Sequence, residues 1–155
     1  MVIDPRFRGP PRSANGGYTC GVVAEAITGA ATVSLRVPPP LGRSLRLRGD
    51  GEESKLTDGE TLVGEGIQAS LDLEVPAAPD LSSAAEASRD YAGFEAHPFE
   101  GCFVCGPART VGDGLRIFAG IVGDTSTVAA PWIPDRSLLG GDGSVDRRHL
   151  WAALD

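Results

Sequence analysis

Asn15-Gly16-Gly17-Tyr18-Thr19-Cys20-Gly21-Val22-Val23-Ala24-Glu25-Ala26-Ile27-Thr28-Gly29 is the stretch whose reading decides the architecture. Tyr18 and Thr19, Val22 and Val23, and Ala26 and Ile27 recur every four residues, the period of a helix rather than of a strand. Pro10-Pro11 bars a helix immediately upstream, so the helix starts after them, with Asn15 as its cap and Gly29 as its stop. Gly21, Ala24 and Ala26 keep its flank thin enough for a sheet to come close. The spacing predicts a buried helix over 16–29.

Downstream of Gly29 the period changes to two. Ala31 to Val37 reads as a strand ended by Pro38-Pro39-Pro40, and Arg43 to Arg48 sets polar residues against Leu45 and Leu47. Glu52 to Thr57 is a polar strand, and Thr61 to Val75 a long one interrupted by Gly64 and Gly66. Gly49-Asp50-Gly51 and Asp58-Gly59 are the hairpin turns. A helix followed by four antiparallel strands is an α+β arrangement. Pro76 to Ala92 reads as a linker, with a short helix at Ser82 to Arg89. Cys102-Phe-Val-Cys105 follows, then strands over Leu115 to Val122 and Thr125 to Trp132, and the opening turns of a helix in Leu150 to Asp155.

Composition removes several classes of function. Fourteen basic against 21 acidic residues give a net charge of −7, and no basic stretch tracks a phosphate backbone, so nucleic-acid binding is not expected. Glycine and proline make up about a fifth of the 155 residues, below the roughly 25–30% at which low complexity sets in. The chain is expected to fold as one domain or slightly more. It has no run of about 18 apolar residues to span a bilayer, and Met1 to Asn15 lacks the apolar stretch of a signal peptide. A cytoplasmic protein without membrane partners is the expectation. Three cysteines, Cys20, Cys102 and Cys105, are an odd number and suit reduced thiols better than a disulfide framework. Lys55 is the only lysine, a bias that points to a GC-rich bacterial genome.

Asn15-Gly16-Gly17-Tyr18 opening a small-residue helix, with four antiparallel strands after it, resembles the hotdog fold of acyl-CoA thioesterases, particularly the phenylacetyl-CoA-thioesterase-like branch. In that fold a long helix is wrapped by an antiparallel sheet. The second segment resembles actinobacterial proteins that carry two hotdogs in tandem. The residues that carry it are His97-Pro-Phe-Glu-Gly-Cys-Phe-Val-Cys-Gly-Pro107, Gly112-Asp-Gly-Leu-Arg-Ile-Phe118 and Trp151-Ala-Ala-Leu-Asp155. The resemblance implies a first hotdog unit over 1–76, a linker over 77–96, and over 97–155 the start of a second unit that is truncated at its C-terminus.

Thioester hydrolysis needs donors for a developing oxyanion and a carboxylate that attacks or activates water. The resemblance assigns the donors to the helix-end amides of Gly17 and Tyr18, with Asn15 and Gly16 beside the bound coenzyme A; the plain alternative is a tight turn into the helix. The related enzymes carry their acid seven residues after the second glycine, which here is Ala24. Glu25 is one step on, rotated by about 100° around the helix, and reads more naturally as a structural or solvent-facing carboxylate than as a catalytic one. Asp155, closing a small apolar run, is the better candidate for base or nucleophile. Arg46 and Arg48 share one strand face and could meet coenzyme A phosphates or simply face solvent. Coenzyme A enters as part of the substrate, and no separate cofactor or metal is expected.

Cys102-x-x-Cys105 is compatible with a metal or redox pair, or with two half-buried loop cysteines. Zinc would need further ligands from Cys20, His97 and His149, and a redox pair is expected at a helix start, which Gly106-Pro107 disfavours. The rival function from another class is a non-catalytic acyl-binding, coenzyme-A-binding or assembly module. An incomplete second unit would leave a sheet edge unpaired, so a homodimer through an edge strand at Thr61 to Val75 is expected.

Overall fold

The computed structural model describes residues 1–155 as an α+β chain built on a four-stranded antiparallel sheet and a few helices. Helix α1 spans Gly16–Ala24, and Asn15 caps it by accepting the Tyr18 amide on its side chain at 2.8 Å. It ends well before Gly29. Glu25 and Ile27 donate to the carbonyls of Val22 and Ala24 in tightened turns. The chain then joins the neighbouring hairpin, where Thr28 donates to the Gly51 carbonyl and Gly51 to that of Ala26. The helical period at Ala26 and Ile27 is therefore satisfied by non-helical backbone, with Ile27 still buried in the core.

The strands are β1 (Ala31–Leu35), β2 (Arg46–Gly49), β3 (Glu53–Asp58) and β4 (Thr61–Gln68), in the spatial order β1-β4-β3-β2. All neighbours are antiparallel. Each is shorter than its sequence pattern or displaced by a few residues. Strand β4 stops at Gln68 because Gln68 pairs with Ala31, the first residue of β1, and Ile67 with Glu53, the first of β3. No strand remains to pair with 69–75, and Leu71, Leu73 and Val75 are exposed. The expectation of an edge strand at Thr61 to Val75 fails for the same reason: β4 is interior, and the edges are β1 and β2.

One face of this sheet receives α1. Leu35, Gly64, Leu56 and Leu47 lie in cross-strand register on it, and Val33, Gly66, Ser54 and Gly49 form the next row. A methyl on Gly66 would stand 2.8 Å from Ile27 Cδ1 and 3.2 Å from Val23 Cγ1, so the two strand glycines make the hollow in which α1 rests. Ser54 Oγ, buried beneath the helix, donates to the Val23 carbonyl at 2.8 Å. Removing that acceptor's partner would leave a buried polar group unpaired.

Helix α2 (Leu81–Ala87) falls where the sequence places a short helix, capped by Asp80. The two strands expected in the second segment shrink to β5 (Gly120–Ile121) and β6 (Val128–Ala129). Leu115 and Ile117 donate instead to the carbonyls of Phe103 and Val104, and Arg116 takes a φ of 56°, which breaks an extended run. Helix α3 (Arg147–Ala153) follows, capped by Asp146. Phe103, Leu115, Leu138 and Ala152 share one core cluster with Ile3, Tyr18, Val22 and Leu56. The two halves of the sequence are thus packed into a common interior. No helix is long and apolar enough to cross a membrane.

Candidate functional site

Helix α3 crosses α1 at its glycines. A methyl on Gly17 would lie 2.6 Å from the Trp151 carbonyl oxygen and 2.5 Å from Asp155 Cβ; one on Gly21 would lie 2.7 Å from Arg148 Cα. Spaced four apart, these glycines lie on one helix face and let the backbones nearly touch. The contact delivers Asp155 to the start of α1, where its Oδ2 accepts from Asn15 Nδ2 at 3.3 Å.

The amides at that helix end divide differently from the sequence expectation. Tyr18 N–H is already spent on the Asn15 cap and Thr19 N–H on the Asn15 carbonyl, so Tyr18 is not an open donor. Its ring is buried, stacked on Phe7 with centroids 4.1 Å apart. The unpartnered amides are those of Gly16 and Gly17, beside the Asp155 carboxylate. A positive helix end with two free N–H groups favours negative charge.

Beside this point opens a cleft of about 530 Å³, lined by Gly17, Cys20, Arg147, Leu150, Trp151 and Asp155 among others. Arg147, Leu150, Trp151 and Leu154 all line it, a stripe at i, i+3, i+4 and i+7 along α3 and its end. That stripe is legible in the sequence but is missed when only Asp155 is read from the segment. Cys20 sits half-buried in the same cleft, and burial, helped by the negative charge of Asp155, pushes its thiol up to about 11. It is a protonated apolar wall at neutral pH rather than a nucleophile.

Glu25 does not join this group. Its carboxylate pairs with Arg148 at 3.0 Å, and Arg148 also pairs with Asp146 at 2.5 Å. Burial raises the Glu25 carboxyl, and Arg148 opposes the shift. Ala24, at the position where the resemblance would put an acid, is buried. Arg46 and Arg48 are also elsewhere: they alternate with the helix-facing Leu47 and Gly49, so they occupy the opposite face of the sheet, over an open polar groove. The cation at the cleft is Arg147, which the sequence reading passed over.

Cys102 and Cys105 are free thiols in the loop under the core, with His97 Nε2 3.3 Å from Cys105 Sγ. No group of three or more His, Cys, Asp or Glu side chains is arranged to hold a metal ion. His149 lies apart, buried among Phe7, Tyr18 and Phe103. No family model matches the chain, and no curated protein or solved structure matches it.

Proposed function

We propose that this chain has the hotdog arrangement and acts on an acyl-CoA thioester as a thioesterase-like hydrolase. The observation that carries the reading is the placement of the Asp155 carboxylate at the α1 N-terminus, against Asn15 and beside the free Gly16 and Gly17 amides. The acyl group occupies the apolar cleft formed with Leu150, Trp151 and Leu154, which brings the thioester carbonyl to the helix end. Asp155 takes a proton from water as the water oxygen attacks the carbonyl carbon. The oxyanion is held by the two amides, its collapse expels the thiolate, and Asp155 returns its proton to that sulfur, leaving a carboxylic acid and coenzyme A. Arg147, at the cleft, supplies the cation for the phosphates in place of Arg46 and Arg48.

The test is coenzyme A release from a panel of acyl-CoA thioesters, followed chromatographically. Asp155→Asn lowers kcat by about 10²–10⁴-fold with far-UV circular dichroism unchanged. One observation favours a second reading, a non-catalytic acyl-CoA-binding module: α1 itself carries no carboxylate, and Glu25, which caps its C-terminal end, is held by Arg148. Retained acyl-CoA binding with no release from any member of the panel overturns hydrolysis and selects that module.

A further inference from the structure

We infer that Cys102 and Cys105 form a redox-active dithiol that exchanges with low-molecular-weight disulfides, with Cys105 as the entry sulfur, Cys102 as the resolving sulfur and His97 as the hydrogen-bond donor at Cys105. The loop is folded to bring the pair together. Gly106 N–H donates to the Cys102 carbonyl at 3.0 Å, closing one turn of chain around the two cysteines, and Cys102 N–H is anchored on the Phe99 carbonyl at 2.7 Å. A methyl on Gly106 would stand 2.5 Å from the Cys102 nitrogen, so the turn needs glycine there. Tyr91 Oη secures the other end by donating to the Cys105 carbonyl at 3.3 Å.

His97 decides between redox and metal chemistry. Its Nδ1 accepts the Phe99 amide at 2.9 Å, and a backbone N–H can only donate, so the neutral ring carries its proton on Nε2. That Nε2–H points at Cys105 Sγ, 3.3 Å away. It is a donor to sulfur, whereas a metal ligand would need the lone pair on that nitrogen. The neighbouring Cys105 side chain, with the backbone amides of Val104 and Cys105 behind it, brings the first ionisation of the pair down to about 5 at Cys102 and leaves the second, at Cys105, pushed upward. Cys102 is 6% exposed and Cys105 half-buried, so an incoming disulfide meets Cys105.

The exchange balances without another reactant. Cys105 gives its proton to solvent, and its thiolate, held by His97, attacks one sulfur of the small disulfide. A mixed disulfide forms and one small thiolate leaves. The Cys102 thiolate attacks Cys105 Sγ, closes the Cys102–Cys105 disulfide and expels the second small thiolate. Counted from the neutral dithiol, the protein loses two electrons and two protons; the small disulfide takes the electrons, and solvent carries the protons to the two thiolates released.

The test equilibrates the full chain in glutathione redox buffers, traps thiols by alkylation in denaturant and maps the peptides. Oxidising buffer is expected to remove Cys102 and Cys105 from the alkylated pool together, as one linked pair reversed by dithiothreitol, while Cys20 stays alkylated. Cys102→Ser is expected to stall with one glutathionyl group on Cys105, and His97→Gln to slow exchange about tenfold with the pH profile moved upward. Cys102 and Cys105 both fully alkylated after glutathione disulfide treatment overturns the proposal, as does glutathionylation confined to Cys20. Stoichiometric zinc that blocks alkylation of the pair and survives a chelator wash also overturns it. The wild-type map decides the matter even if Cys102→Ser does not fold.

Discussion

Asn15 Nδ2 donates to Asp155 Oδ2 at 3.3 Å while Asn15 Oδ1, on the same side-chain amide, accepts the Tyr18 N–H at 2.8 Å. One side chain thus starts helix α1 and fixes the carboxylate that lies across its end. The two functions separate by substitution. Asn15→Ala loses both and costs about 0.5–2 kcal/mol in denaturant unfolding. Asn15→Asp keeps a cap acceptor but places a second carboxylate against Asp155. It should unfold close to wild type while losing the Asp155 contact, which a crystal structure or the pH profile of hydrolysis would report. Equal destabilisation by the two variants would show that the Asp155 contact, not the cap, carries the stability.

Gly17→Ala tests whether α3 is truly seated on α1. The added methyl meets the Trp151 carbonyl and Ala152 Cα at 2.6 and 2.9 Å, both backbone atoms that cannot rotate aside. Displacing α3 should cost about 1–3 kcal/mol, read as a lower denaturant midpoint at constant slope. Gly21→Ala, aimed at Arg148 Cα, should behave alike. Gly42→Ala is no substitute control, because Gly42 has a φ of +65° and would be strained whatever its space. Gly141→Ala, with nothing within 4 Å, is the proper one and should be close to neutral.

Local chemistry explains what the sequence made legible. Asn15, Gly16 and Gly17 announce a capped helix start, and the alternation around Leu45, Leu47, Ser54 and Leu56 announces sheet, because both signals are carried by neighbours in the chain. The end of α1 was not legible, since Ala26 and Ile27 keep the helical period while Gly51, far along the chain, captures their backbone. Leu115 and Ile117 look like strand for the same reason and are bound instead to the Phe103–Val104 loop. Strand order is equally non-local: nothing in Thr61 to Gln68 says that β1 will pair on its far side. At the candidate site, Asp155 stands out within its own segment, whereas the place of Arg147 and Cys20 in the same cleft depends on how α3 crosses α1 and no local signal carries it.

Cys20 should be the slow thiol. Burial and the Asp155 charge put its ionisation at about 11, so at pH 8 its thiolate is scarce. Native-state alkylation at that pH should leave Cys20 largely unmodified, and Asp155→Asn should speed it by removing one of the two causes. Fast labelling of Cys20 in the wild type, or no acceleration in Asp155→Asn, would show that this charge does not reach the thiol.

His149 should make stability fall in mild acid. It is 6% exposed, its Nδ1–H donates to the Leu138 carbonyl at 3.2 Å, and its Nε2 has no partner. Protonation would place a second N–H in a pocket of Phe7, Tyr18 and Phe103 rings with nothing to receive it, so burial holds the imidazole below its ordinary 6.5. The sign follows from linkage: above 6.5 both folded and unfolded forms are neutral, and below it the unfolded chain binds a proton that the folded one refuses. The contribution is therefore present at higher pH and lost as pH falls through and below 6.5. Urea unfolding measured between about pH 7.5 and 5.5, above the carboxylate range, should show stability declining in the wild type. His149→Phe, which keeps the ring packing and has no proton to bind, should reduce that slope whatever its effect on absolute stability, leaving the part that the lowered Cys102 thiol contributes in the same direction. An unchanged slope in the variant would assign the acid sensitivity to another group.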